Sequence, residues 1–150
     1  MKKILVAIDG SDAARAAVAV GLELAAEEGA EIVFAHVTSI LDFATKLDDQ
    51  GEVPPERVPR AEDDAVLREA VELANRVGVR AQPELLVGYP SKQILRVASD
   101  VGADLIVVGS RGLGRVKSAI LGSTSREVLS HADRPVLVVR DTAVRERTPA

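Results

Sequence analysis

The chain contains no cysteine, and aromatic side chains and histidines are rare. Among its 150 residues the aromatics are Phe34, Phe43 and Tyr89, and the histidines are His36 and His131. A chain without cysteine forms neither a disulfide framework nor a thiolate zinc site, and two histidines are too few for a metal cluster. These absences exclude disulfide-stabilised scaffolds and the usual structural metal centres.

Long apolar runs and an excess of positive charge are also missing. No stretch approaches the roughly 18 apolar residues of a membrane span, and the opening MKKILVAIDG predicts a first strand rather than a signal peptide. The formal net charge is −4 and the isoelectric point is near 5.2. A nucleic-acid binder needs a broad basic face. We therefore expect a cytoplasmic protein with no nucleic-acid and no membrane partner.

Five short apolar segments rich in valine and isoleucine are present instead. Each is shorter than a typical helix and is bounded by glycine, proline, aspartate or serine, which is typical of buried strands. Their apolar character hardly alternates, which indicates parallel strands covered on both faces. They are Lys3–Ile8, Glu31–Val37, Pro83–Val87, Asp104–Val108 and Pro135–Val139.

Four segments with helical periodicity separate these strands. The first starts at Ser11 as N-cap and ends at Gly29, and the third has proline at its first position and Gly102 at its end. In the fourth, Thr124 to Glu127 fits the capping-box pattern. The predicted helices run to Glu28 in the first case, and over Arg60–Val77, Pro90–Val101 and Ser123–Ala132 in the others.

This alternation predicts an α/β fold with a single doubly wound, five-stranded parallel sheet and helices on both faces. The expected strand order is 3-2-1-4-5. Residues 38–59 contain three prolines and several acids, and a connection of this length is a lid, a binding loop or a disordered excursion. We expect one domain over residues 1–140 and a flexible tail over residues 141–150.

A glycine-rich basic stretch follows the fourth strand, where ligands bind in sheets of this kind. From Val108 to Lys117 the sequence reads VGSRGLGRVK, with three glycines and three cations. Glycines allow close approach of backbone amides and the cations attract an anion such as phosphate. The next helix opens with the hydroxyls of Ser123, Thr124 and Ser125, a second potential phosphate site. The alternative is that the glycines only make turns and the hydroxyls only cap a helix.

Two standard phosphate-binding motifs fail on this stretch. The spacing from Gly109 to Gly114 is that of a Walker-A loop, but Arg115 and Val116 stand where lysine and serine or threonine are required. The dinucleotide fingerprint G-x-G-x-x-G is missing after the first strand, where Asp9 is followed by glycine and serine. The sequence thus supports neither standard NTPase nor dehydrogenase chemistry.

The spacing of the glycines instead resembles a known family. Gly109 and Gly112, followed after nine residues by Gly122 and Ser123, match the pattern G-x2-G-x9-G-[S/T] of the ATP-binding branch of the universal stress protein family. The segments KKILVAIDGS, DLIVVGSRG and HADRPVLVV are similar to that family as well, so the resemblance covers the whole chain. It implies an adenine nucleotide alpha hydrolase-like fold.

The resemblance also implies a nucleotide site and an assembly. Asp9 would bond the ribose or adenine side, Ala7 and Ile8 would line the pocket, and Val37 would meet adenine through its backbone. Mg would be held through the ATP phosphates, with no side-chain ligand and no catalytic residue. A homodimer would form through Pro135–Val139. The implied phosphate-side residues are Gly109, Gly112, Gly122, Ser123, Thr124 and Ser125, with Arg111 equally placed as a phosphate contact or a solvated side chain.

Three functional hypotheses remain open from the sequence. The first is an ATP-binding regulatory protein of stress adaptation that acts through conformation or an unknown protein partner, since no general base or catalytic dyad is in place. The second is a non-nucleotide interaction protein. The third is a phosphoacceptor receiver domain, which needs more acids than Asp9 after the first strand, an aspartate at Gly88 and a lysine at Arg140.

Several polar residues also have purely structural interpretations. Asp9 is a candidate partner of the Ser11 cap. We expect His36 to be a packed, hydrogen-bonded histidine and His131 to complement the end of its helix.

Overall fold

The structure, a computed structural model, describes residues 1–111 and 121–141. Within these residues the strands are β1 (Lys3–Ile8), β2 (Glu31–Thr38), β3 (Ala81–Val87), β4 (Leu105–Gly109) and β5 (Val136–Val139). They form one parallel sheet in the order β3-β2-β1-β4-β5. The predicted doubly wound α/β fold is therefore confirmed. The predicted tail lies outside the described residues from residue 142 onward.

The same part of the chain contains five α-helices and two short 3₁₀ turns. The turns are Pro55–Arg57 and Ala61–Asp63. None of these helices has the length and apolar character that crossing a bilayer requires. The helices are α1 (Asp12–Glu28), α2 (Ile40–Ala44), α3 (Ala65–Arg76), α4 (Pro90–Val101) and α5 (Ser123–His131).

The caps predicted from the sequence define α1 and α4. The Ser11 hydroxyl accepts a hydrogen bond from the Ala14 N–H at 3.1 Å, which satisfies one of the amides left free at the start of α1. Gly29 and Gly102 end the two helices with φ of 67° each, a left-handed conformation that glycine adopts without a steric penalty. Both predicted helices are confirmed.

The start predicted for α3 and the capping box predicted for α5 are wrong. Helix α3 begins at Ala65 rather than Arg60, because the Asp64 carboxylate caps it by accepting from the Leu67 N–H at 2.9 Å. Helix α5 has Gly122 rather than Thr124 at its N-cap, with no side-chain cap, and the Glu127 carboxylate bonds Tyr89 and Ser91 instead of the helix start.

Strand β3 begins two residues earlier than predicted, at Ala81, and continues through Pro83. The Arg80 carbonyl accepts from the Ile32 N–H at 2.9 Å, so alternate residues of β3 bond to β2. The backbone nitrogen of Pro83 lies between these residues and faces away from β2. A proline is tolerated there because β3 is an edge strand and the missing N–H would have faced away from the sheet.

Helices cover both faces of the sheet. Ile4, Val6 and Ile8 of β1 belong to the core beneath α1 and α3. Leu5 and Ala7 belong to the core beneath α4 and α5. This alternation follows from the two-residue period of a strand and places the two cores back to back.

Residues 39–63, which we call the excursion, connect β2 to α3 and contain α2 and both 3₁₀ turns. The Asp48 carboxylate stabilises a turn in the middle of the excursion by accepting from the N–H groups of Gln50 and Glu52, both at 2.9 Å. The Asp64 carboxylate lies 3.0 Å from His36 Nδ1 at the carboxyl end of β2. The excursion is thus attached at its end, and the expected hydrogen-bonded role of His36 is confirmed.

Candidate functional site

The carboxyl ends of β1, β2 and β4 lie side by side and bring the predicted residues to one edge of the sheet. Ala7 and Val37 are both partly buried on the side of α4 and α5. Gly109 ends β4, and Asp9 follows β1. In parallel sheets this edge is where ligands bind.

Asp9 is bonded locally and keeps one carboxylate oxygen available. Its Oδ1 accepts from the Ser11 N–H at 2.9 Å, as expected for an acid that supports a helix cap. Within the described residues no other donor contacts this half-buried carboxylate. Its Oδ2 is therefore available to a hydroxyl or amine of a ligand.

Two hydrogen bonds hold the described residues on either side of the loop after β4. The Gly122 N–H donates to the Ser110 carbonyl at 2.6 Å, and the Ser11 hydroxyl donates to the Arg111 carbonyl at 3.4 Å. The first contact holds the start of α5 at the end of β4. Gly112 and the cations Arg115 and Lys117 lie outside the described residues.

Ser125 lies beside the first of these contacts. Its side chain is buried, with the residue 3% exposed, and its Oγ is 3.0 Å from the Ser110 carbonyl and 3.1 Å from the Gly122 carbonyl. The hydroxyl hydrogen is therefore donated within the protein. Ser123 is exposed and Thr124 half-buried at the same helix start, where unpaired amides and the helix dipole favour an anion.

Gly109 makes a close contact between β4 and α1. A Cβ at this position would lie 2.7 Å from the carbonyl carbon of Ala13 and 2.9 Å from the nitrogen of Ala14. No side chain fits against backbone at that distance, so glycine is required here for helix packing. The sequence reveals the glycine but not the helix that approaches it.

Helix α5 is joined to α4 by a carboxylate that sequence reasoning assigned to a capping box. Glu127 accepts from the Tyr89 hydroxyl at 2.9 Å and from the Ser91 hydroxyl at 2.6 Å. The hydrogen bonds from Ser91 and Tyr89, with the nearby charges of His131 and Lys92, lower the pKa of Glu127. The same Tyr89–Glu127 hydrogen bond raises the pKa of Tyr89. No sequence pattern indicates these partners, which are 36 and 38 residues away from Glu127.

The groups at this edge suit a phosphate ligand better than a bare metal ion. No group of three or more histidine, cysteine or acidic side chains that could hold a metal occurs in residues 1–111 and 121–141. A divalent ion would have to be held mainly by a bound polyphosphate, because Mg²⁺ uses few protein ligands. Arg111, the last described residue before the loop, is half-buried.

The strand order, the ligand edge and the helices on both faces define an adenine nucleotide alpha hydrolase-like fold. The model of the Universal stress protein family matches residues 1–140, and the chain belongs to that family. It is 41% identical over 140 residues to a universal stress protein of Thermus aquaticus, which covers 93% of this chain and 98% of that protein. It is 36% identical over 145 residues to Universal stress protein YxiE of Bacillus subtilis, covering 92% and 98%.

Two solved structures of the family contain adenine nucleotides. A universal stress protein in complex with cAMP has 28% identity and a TM-score of 0.68, covering 92% of this chain and 95% of that one. The universal stress protein of Archaeoglobus fulgidus in complex with dAMP has 25% identity and a TM-score of 0.67, covering 93% and 98%.

Proposed function

We propose that this chain binds ATP, with Mg²⁺ carried on its phosphates, at the carboxyl edge of β1, β2 and β4. The nucleotide acts by changing conformation or the binding of a protein partner, in stress adaptation inside the cytoplasm. The family membership and the adenine nucleotides in two related structures support this proposal.

The observation that carries it is the 2.6 Å hydrogen bond from the Gly122 N–H to the Ser110 carbonyl. This contact fixes the positive end of α5 against the end of β4, the edge at which Asp9 also lies. A phosphate at Ser123 and a ribose or base at Asp9 would then be bound at the ends of two neighbouring strands, β4 and β1.

We give three residues that were predicted to contact the nucleotide a supporting role instead. Gly109 is required by the backbone of α1, and the Ser125 hydroxyl is already donated to backbone carbonyls. We assign both to the support of the site. The Gly122 N–H is likewise already donated to the Ser110 carbonyl, so we assign Gly122 to the support of the site as well. The proposed direct contacts are those of Asp9, Val37 and Ala7 on the base and ribose side, and of Ser123 and Thr124 on the phosphate side.

The proposed role is binding rather than turnover. Asp9 Oδ1 accepts the Ser11 N–H, and His36 is bonded to Asp64 at the start of α3, on the opposite face from Ala7. His36 thus lies across the sheet from α5, which begins at Ser123, and is not placed to act as a general base for a water there.

Calorimetry on nucleotide-free protein tests the proposal. We expect saturable ATP binding with Mg²⁺ at micromolar to high micromolar concentrations, and loss of that binding in Ser123→Glu, which places a negative charge beside the phosphates. Ser99→Glu, at an exposed serine of α4, is the matched control and should bind as the wild type does. Absence of binding in the wild type, or equal binding by Ser123→Glu, would contradict the proposal.

We also propose a homodimer in which the β5 strands of two copies pair. The Ile106 N–H donates to the Pro135 carbonyl and the Ser110 N–H to the Val139 carbonyl, so β5 bonds to β4 through alternate residues. The N–H and C=O groups of Val136 and Val138 therefore face outward. An edge strand with half-buried valines on both faces is suited to pairing with a second copy.

A further inference from the structure

A groove lies between α1 and α3, on the face of the sheet opposite to Ala7 and Val37. Its volume is about 110 Å³. An engineered apolar cavity of about 150 Å³ is enough to bind benzene, so a groove of this size, open on one side, accommodates one ring or a short alkyl chain. The apolar wall is formed by Ile8, Gly10, Ala14, Val18, Val66 and Ala70.

Charged side chains cross the mouth of this groove. Arg15 Nε lies 3.4 Å from Glu69 Oε1, and Arg15 Nη1 lies 3.4 Å from Asp12 Oδ1. The Arg15 and Glu69 side chains are 59% and 54% exposed, so the ion pair between them contributes at most about 1 kcal/mol and opens readily. One cation is thus shared by two carboxylates.

We propose that this groove binds a small molecule that has an apolar body and a protonated amine. An incoming ammonium group would pair with Glu69, while Arg15 would keep its pairing with Asp12, so every charge stays partnered. An incoming carboxylate would pair with Arg15 and leave an acid without its cation. The charge balance at the mouth therefore favours an amine over an acid, and the apolar wall favours a ring or branched chain over a polar body.

The groove is also mechanically connected to the nucleotide edge. Ala14 lines the groove, its nitrogen lies against Gly109, and its N–H donates to the Ser11 hydroxyl, which in turn contacts the Arg111 carbonyl. A ligand that widens the groove displaces the first turn of α1 against the end of β4. We expect amine binding to change nucleotide affinity, a coupling that rests on the proposed function, whereas the groove itself does not.

A titration of ¹⁵N-labelled protein at pH 7 tests the groove. Benzylamine, benzyl alcohol and benzoate serve as probes of one shape and different charge. We expect benzylamine to shift the amide resonances of Ala14, Val18 and Ala70 saturably, with at least fivefold weaker binding of the other two probes. Absence of saturable shifts with benzylamine, or equal binding of benzoate, would overturn the proposal.

Removing the charge of Glu69 tests whether the ammonium group binds beside it. Glu69→Gln should weaken benzylamine at least threefold and leave benzyl alcohol unchanged, whereas Glu72→Gln, an exposed acid on the same helix and outside the groove, should change neither. Equal effects of the two variants would overturn the assignment of the ammonium group to Glu69.

The coupling is measured separately, as the Kd for ATP with and without saturating benzylamine. We expect a change of at least threefold, and an unchanged Kd would overturn the coupling. If the wild type binds no ATP in the absence of benzylamine, the proposed nucleotide function fails, while the benzylamine titration still decides whether the groove is a site.

Discussion

Gly109 and Ala13 touch through their backbones, since a Cβ on Gly109 would lie 2.7 Å from the Ala13 carbonyl carbon. We therefore expect Gly109→Ala to lower the free energy of unfolding by about 1–3 kcal/mol, the usual cost of overpacking. Urea denaturation measures this cost.

Gly21→Ala is the matched control for that experiment. Its added Cβ would meet a side-chain atom, Val6 Cγ2, at 2.7 Å, and alanine gains about 1 kcal/mol over glycine in a helix interior. We expect a smaller loss than for Gly109→Ala. The reverse ranking would show that the contact with α1 does not restrict position 109.

We expect Ser123 to contact the ligand and Ser125 to stabilise the fold. Ser125→Ala removes the donor to the Ser110 carbonyl and should cost about 1 kcal/mol of stability. Ser123→Ala, at an exposed position, should leave stability unchanged and weaken ATP. Thermal unfolding without nucleotide and calorimetry with ATP give the two readouts. A stability loss in Ser123→Ala without any change in affinity would contradict this division.

Glu127 should make stability depend on pH in the acid range. The Ser91 and Tyr89 hydroxyls lower its pKa in the folded state, so the unfolded state binds its proton more readily. Its contribution is complete above the unfolded pKa of about 4.3 and is lost as pH falls through the lower folded value.

We therefore expect the stability difference between wild type and Glu127→Gln to be largest above about pH 5 and to shrink at lower pH. Urea unfolding at several pH values measures this difference. Glu72→Gln is the control at an exposed acid of α3. A difference that is constant across this range would show that the folded protein does not favour the ionised carboxylate.

Val138→Pro should separate dimerisation from folding. The change removes an N–H that faces outward from β5, so the hydrogen bonds to β4 remain intact. We expect light scattering to show a dimer for the wild type and a monomer for the variant, with folding retained in circular dichroism. A wild type that is monomeric at micromolar concentration, or a variant that still dimerises, contradicts pairing through β5.

The fold was predictable because its determinants are local. Each strand is a short apolar run, and α1 and α4 carry their caps and end signals in their own sequences, at Ser11, Gly29, Pro90 and Gly102. The order of these elements then leaves few topologies open. The start of α3 was mispredicted because the charged residues from Arg60 onward fit a helix face, whereas the cap depends on Asp64, which also bonds His36.

The site was predictable as a location but not in its internal contacts. Its residues lie at or just after the carboxyl ends of three strands, and these ends must meet in a parallel sheet. The sequence did not indicate hydrogen bonds between residues that are distant along the chain. Examples are those of Glu127 with Tyr89 and Ser91 and that of Ser125 with Ser110. A glycine spacing motif also cannot distinguish a glycine that approaches a ligand from one that approaches a helix, as Gly109 does.

Side-chain caps mark both ends of the excursion. It starts where the Ser39 hydroxyl caps α2 and ends where Asp64 caps α3 and bonds His36. Ala61 packs on the core beneath α1 and α3, whereas no residue from 40 to 58 belongs to either core. The stretch 40–58 can therefore be shortened, lengthened or replaced at a small entropic cost, which grows only slowly with loop length. The protein thus carries, beside its ligand edge, a built-in position at which a peptide tag or reporter could be inserted without rebuilding the core.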